Sequence, residues 1–146
     1  MTVWPCVVVS SHDQVYILEE MGQRKIDRNG IISTIAGTGE EGYNGDGQLA
    51  VNAELSYPYG IFVTDEEEVL FCDYLNGRVR KIDQNGIIST IAGNGDIRSI
   101  HEDHVLATKT FIDGPTSVFM YKKEIYIAER NRIRKIEKNG RILTIA

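Results

Sequence analysis

Apolar positions in this chain fall in short runs divided by polar turns, and the runs recur in the same order three times. Each of Pro5, Pro58 and Pro115 is followed by one: Val7-Val8-Val9, Ile61-Phe62-Val63 and Val118-Phe119-Met120. After a polar turn comes a second run: Val15-Tyr16-Ile17-Leu18, Val69-Leu70-Phe71-Cys72 and Ile125-Tyr126-Ile127-Ala128. Short β-branched and aromatic stretches of this kind predict strands. A third predicted strand carries Arg24-Lys25-Ile26, Arg80-Lys81-Ile82 and Arg134-Lys135-Ile136, and it ends at Asn29-Gly30, Asn85-Gly86 and Asn139-Gly140. Asn-Gly between strands predicts a tight hairpin of type I′, with φ > 0 at both central residues. The fourth predicted strand covers 31–36, 87–92 and 141–146.

The recurrence extends to near-identity. Lys25 to Gly37 reads KIDRNGIISTIAG and Lys81 to Gly93 reads KIDQNGIISTIAG, while Lys135 to Ala146 is a worn copy, KIEKNGRILTIA. A period in the fifties marks a repeat architecture whose units cannot bury their apolar surface alone. Runs such as Val-Leu-Phe-Cys are apolar on both faces, so each four-stranded meander needs a neighbour on either side. The expected fold is therefore all-β, a β-propeller of four-stranded antiparallel blades. The units lie at about 3–36, 58–92 and 115–146, joined by long connections at 37–57 and 93–114. Asp46 and Asp103 stand twelve residues before a proline, each three residues ahead of a Leu-Ala pair. That placement predicts an N-cap Asp opening a short helix with its apolar side on the sheets.

Bulk composition changes this picture little. With 146 residues, two-fifths hydrophobic and a quarter charged, the chain is ordinary globular material. It has no apolar run near the roughly 20 residues of a spanning helix, and its start lacks the basic and apolar regions of a signal peptide. Two cysteines, Cys6 and Cys72, are read as buried strand thiols rather than a disulfide framework. A net charge of −5 with interleaved signs makes nucleic acid an unexpected partner. No membrane association is expected.

Gly42-Tyr43-Asn44-Gly45-Asp46-Gly47, Asn52-Ala53-Glu54-Leu55, Tyr57-Pro58-Tyr59-Gly60-Ile61 and Asn76-Gly77-Arg78-Val79-Arg80-Lys81-Ile82 occur in a fixed order. On these motifs the chain resembles the NHL-repeat β-propellers, over its whole length and best in the middle unit. Unit three departs slightly, with Arg130 at the Asn position. Unit one has Glu20-Met21-Gly22-Gln23-Arg24 where Asn-x-Arg-φ-Arg is expected. The resemblance implies a ring of six blades acting as a binding platform. It also brings two alternatives: a metal-dependent lactonase- or lyase-like enzyme that needs the complete ring, and an RNA-binding domain using a basic band of Arg78, Arg80, Lys81, Arg132, Arg134 and Lys135.

The residues themselves favour the scaffold. Glu19, Asp73 and Glu129 close the second strands and could form a carboxylate ring, but a residue required in every blade reads as architecture. The six basic residues read as blade-to-blade pairing. His101 and His104, in His101-Glu102-Asp103-His104, are the candidate metal ligands, and no third ligand accompanies them. His12 is read as solvent-facing. Asn44-Gly45-Asp46-Gly47 lacks the regular oxygen series of a calcium loop. Neither catalytic residues nor a cofactor are expected. The expected partners are a protein ligand on the open face and a second copy of the chain. Three blades do not close a ring, so a homodimer would bury Val7, Val9 and Tyr16 of blade one against Phe119, Tyr126 and Ile133 of blade three.

Overall fold

A computed structural model describes residues 5–146. The parts of unit one at positions 3 and 4 lie outside the described residues. Blade one comprises β1 (Cys6–Val9), β2 (Val15–Glu19), β3 (Gly22–Ile26) and β4 (Ile32–Ala36). Blade two comprises β5 (Pro58–Val63), β6 (Val69–Asp73), β7 (Arg78–Ile82) and β8 (Ile88–Ala92). Blade three comprises β10 (Ser117–Tyr121), β11 (Glu124–Ala128), β12 (Ile133–Ile136) and β13 (Arg141–Thr144), with a short fifth strand, β9 (Val105–Leu106), on its outer edge. Every pairing within the sheets is antiparallel, and the four strands of each blade run in chain order from the first strand outward, with β9 added beyond β13. Of the first strands, β5 neighbours both β1 and β10, and the three form the inner side of the blades.

The core lies between sheets. Tyr16, Leu18 and Ala36 of blade one pack against Val69, Phe71, Ile82 and Ile88 of blade two. Leu70, Cys72, Val79 and Ala92 on the other side of blade two pack against Val118, Ile127, Ile136 and Ile142 of blade three. Residues two apart on a strand share a face, so Val69 and Phe71 look one way and Leu70 and Cys72 the other. This is why β6 is buried at all five positions. The same geometry corrects one expectation: Tyr16 is buried toward blade two and does not belong to the outward face of blade one.

The connections are built differently from the expectation. Neither contains a helix capped by Asp. Each holds a three-residue 3₁₀ turn, Ala50–Asn52 and Ala107–Lys109, whose cap positions are Leu49 and Leu106, with no side-chain cap bond. Leu49 and Leu106 are exposed, while Ala50 and Ala107 are buried. The length of each connection is used to run along the outer edge of the following blade before turning in to the inner side. Leu49 bridges to Ile87, and β9 pairs with β13 through Val105–Ile142 and Leu106–Arg141. Edge pairing satisfies backbone groups that a free sheet edge would leave open.

The Asn-Gly hairpins also differ in class. Gly30, Gly86 and Gly140 have φ of +79, +79 and +81°, but the preceding asparagines are not left-handed. Gly86 N–H donates to Asp83 C=O (2.9 Å), and the Asp83 carboxylate accepts from Asn85 N–H (2.8 Å) and Ile87 N–H (3.0 Å). The aspartate holds the turn in a form needing only one left-handed residue. Gly86→Val is therefore expected to cost about 2 kcal/mol or more in urea unfolding, and Asn85→Asp less than about 1 kcal/mol. Equal costs would contradict this turn geometry. Among the described residues no helix is long and apolar enough to cross a membrane.

Candidate functional site

The most elaborate polar arrangement is a buried arginine brace that recurs in blades two and three. Strand β7 carries Arg80 onto the outer half of its sheet, where the side chain is fully buried. Its Nη1 donates to Asp73 Oδ2 (2.9 Å), and its Nη2 donates to Asp46 Oδ1 (2.9 Å) and Gly45 C=O (3.0 Å). Asp73 also accepts from Ser56 N–H (2.8 Å) and Asn76 Nδ2 (2.9 Å). Burial pushes the Asp73 carboxyl above its ordinary value, against the pull of Asn76, Ser56 and Arg80. The Tyr43 ring lies over this group, 3.8 Å from the Arg78 guanidinium and 5.0 Å from that of Arg80. In blade three Arg134, also fully buried, donates to Glu129 Oε1 (3.3 Å), Asp103 Oδ1 (3.2 Å) and Glu102 C=O (2.7 Å).

Asp46 and Asp103 are thus strap residues. Each ties its connection to the blade that follows it, and each also accepts from a threonine on that blade's last strand: Thr90 Oγ1 (3.1 Å) or Thr144 Oγ1 (3.0 Å). The recurring spacing of Asp46 and Asp103 to a Leu-Ala pair and a proline was the sequence signal for these residues, and short-range capping was the wrong explanation of it. Glu19, the counterpart of Asp73 and Glu129, is exposed. The three carboxylates therefore do not share one environment. The basic residues pair within blades rather than between them, Lys81 with Glu68 (3.0 Å) and Lys135 with Glu124 (3.3 Å).

His101 and His104 are not brought to a common centre. The His101 ring stands 5.1 Å from Phe111 and its Nδ1 lies 3.6 Å from Glu129 Oε2. His104 is exposed and has a left-handed backbone, with its N–H on Ile142 C=O (2.7 Å). Among the described residues no group of three His, Cys, Asp or Glu side chains is placed to hold a metal ion. Cys72 is buried and its thiol is pushed well up by that burial, whereas Cys6 is only half-buried.

Sequence reasoning missed a link between blades one and two. Glu67, in the turn before β6, accepts from the buried Tyr16 hydroxyl and lies 2.8 Å from His12 Nδ1. His12 is exposed but not free. No repeat signal announces this cluster, because its three members come from non-equivalent positions. Burial would raise the Glu67 carboxyl, but the hydrogen bonds from Tyr16, Ser10 and His12 outweigh it and hold it below the ordinary 4.5. A lowered carboxyl pKa contributes stability above the unfolded value that is lost as pH falls through the folded one. The melting temperature of Glu67→Gln is therefore expected to fall less than that of the parent between pH 5 and pH 3, and parallel pH curves would refute the link.

The flanks of the described residues expose one half of a blade-to-blade core each. Blade one shows Val7 (58% exposed) and Val9 (61%), which share a face with Ile17 and Val15 through their cross-strand pairing. Blade three shows Phe119 (52%) and Ile133 (41%), with Tyr126 half-buried beside Phe119.

The sequence model of the teneurin NHL domain matches residues 38–113. Human teneurin-4 is 31% identical over 124 residues, which is 77% of this chain and 4% of that protein. The chain spans no more than 5% of the length of the teneurins it matches. Among solved structures, an auxiliary nutrient binding protein from Bacteroides thetaiotaomicron superposes with a TM-score of 0.69 at 15% identity, over 97% of this chain and 37% of its own. A catalytically inactive virginiamycin B lyase from Staphylococcus aureus, solved with quinupristin, gives 0.59 at 19%, over 96% and 40%. At these identities the two structures bear on the fold alone.

Proposed function

The chain belongs to the teneurin NHL-domain family, and on that premise we propose that it is a non-enzymatic propeller segment, half of a six-bladed ring completed by a second copy, whose open face binds a protein ligand. The observation that carries this reading is the matched construction of the two interblade cores. Each joins the trailing face of one blade to the leading face of the next. Blade three presents another trailing face, at Phe119 and Ile133, and blade one another leading face, at Val7 and Val9. Two copies related by a two-fold axis along the inner side would satisfy both faces twice and close the ring. Exposed apolar faces of this size mark interaction surfaces.

The scaffold reading rests on where the polar side chains are spent. Arg80, Arg134, Asp73 and Glu129 are consumed in tying connections to blades. Light scattering at micromolar concentration tests the assembly, with an expected mass twice the 16.4 kDa of the chain. Val7→Asp is expected to give the single-chain mass with an unchanged circular dichroism spectrum. A parent chain that is stable and monomeric would overturn the assembly.

A further inference from the structure

An open recess of about 390 Å³ lies where blade two meets the connection that leads to blade three. Its walls come from both connections and from β7 and β8 of the blade between them, so neither end of the chain takes part in it. The volume falls in the range of about 300–1,000 Å³ typical of small-molecule sites. Arg78, at the start of β7, lines it with a guanidinium already fixed in place. Nη1 donates to Asn76 C=O (2.9 Å) and Nη2 to Asn94 C=O (3.0 Å), which leaves further N–H groups of the fork without a partner among the described residues. The Tyr43 ring covers the guanidinium at 3.8 Å, and Gly95 lies so close that a Cβ there would collide with Nη1.

Thr108 and Lys109, in the 3₁₀ turn of the second connection, line the recess as well, and both are exposed. Four cations of β7 and β12 are matched to carboxylates, Arg80 and Lys81 in blade two, Arg134 and Lys135 in blade three. Among the described residues Arg78 and Lys109 have no such match. Asp46, the carboxylate on the wall, is already engaged by Arg80 Nη2 (2.9 Å) and Thr90 Oγ1 (3.1 Å). Positive charge therefore prevails in the recess. The combination does not recur with the repeat. Blade one has Gly22 where blade two has Arg78, the first connection has Asn52 where the second has Lys109, and the second has Ile100 where the first has Tyr43.

We propose that this recess is a binding site for a sugar acid, a hydroxylated ring bearing a carboxylate. The planar fork of Arg78 and the ammonium of Lys109 take the carboxylate through charge-assisted hydrogen bonds. The hydroxyls of Thr108 and Tyr43, which have no hydrogen-bond partner among the described residues, meet those of the ring. A bare carboxylate would leave most of the recess to water, and an apolar ligand would strip water from Arg78, Thr108 and Lys109 without replacing it. Because Arg78 is held by two carbonyls and an aromatic ring before any ligand arrives, little side-chain freedom is lost on binding. The site stands independently of the assembly of two copies.

Titration of the whole chain with sodium glucuronate, followed by amide NMR shifts, tests the site. Saturable shifts at the Asn94, Gly95 and Lys109 N–H groups are expected, with millimolar affinity. Glucose, which lacks the charge, and acetate, which lacks the hydroxyls, are each expected to bind at least about tenfold more weakly. Lys109→Gln is expected to weaken glucuronate binding by about the same factor with an unchanged urea midpoint, since its exposed ammonium bonds to nothing among the described residues. A glutamate-containing tripeptide represents the other source of a carboxylate. Tighter binding of that peptide than of glucuronate would assign the recess to an acidic side chain of a protein and overturn the sugar acid. Equal binding of acetate and glucuronate would do the same. The absence of saturable shifts, or binding unaltered by Lys109→Gln, would remove the site altogether.

Discussion

Arg80→Ala is expected to cost the fold about 3–5 kcal/mol, as is typical when one partner of a buried ion pair is removed. The guanidinium is fully buried and holds two carboxylates and a carbonyl at 2.9–3.0 Å. Its loss leaves Asp73, itself wholly buried, with only Ser56 N–H and the Asn76 amide, and it frees the strap at Asp46. Arg80→Lys should recover little, because one ammonium cannot reproduce a planar fork that reaches three acceptors. Arg24→Ala, at the same place in blade one, is expected to cost about 1 kcal/mol, since its guanidinium has no acceptor among the described residues. Urea unfolding of the three variants decides the matter. Similar losses for Arg80→Ala and Arg24→Ala would mean that the brace does not hold the connection to the blade. Against a total stability of about 5–15 kcal/mol, the larger loss would be plain in the transition midpoint.

Gly93→Ala is expected to be the most damaging single methyl group, at about 3 kcal/mol or more. Gly93 follows β8 with φ +89°, and its N–H donates to Ala107 C=O (2.9 Å) where the second connection turns inward. A Cβ there would stand 2.1 Å from Gly77 C=O and 3.0 Å from Arg78 Cα, both backbone atoms of the neighbouring hairpin. Neither can rotate away, so strands β7 and β8 must separate. Gly39→Ala provides the control, because Gly39 has nearly the same φ, +90°, with open space around its would-be Cβ. The difference between the two variants isolates the steric contribution from the left-handed backbone they share. Thermal unfolding that is alike for both would show that the close approach of these hairpins is not maintained in solution.

Much of this architecture was written locally. Short β-branched and aromatic runs bounded by prolines and Asn-Gly pairs specified twelve strands, their grouping into three meanders and the burial of both faces of β6, because successive side chains on a strand point to opposite faces and an unbroken apolar run needs cover on both. The left-handed glycines were legible for the same reason: only glycine occupies that conformation without strain. What the chain could not announce were contacts between residues far apart in sequence. Asp46 carries a capping residue's local pattern, yet its partner is Arg80, and only the path of the connection along β8 brings the two together. Tyr16 alternates as an outward residue might, but blade two decides which of its strand's faces is the inner one. The bond from Glu67 to Tyr16 and His12 joins turns that no repeat relates. Local conformation follows from backbone sterics and side-chain periodicity within a few residues, whereas the brace, the strap and the interblade link depend on where three sheets come to rest against one another.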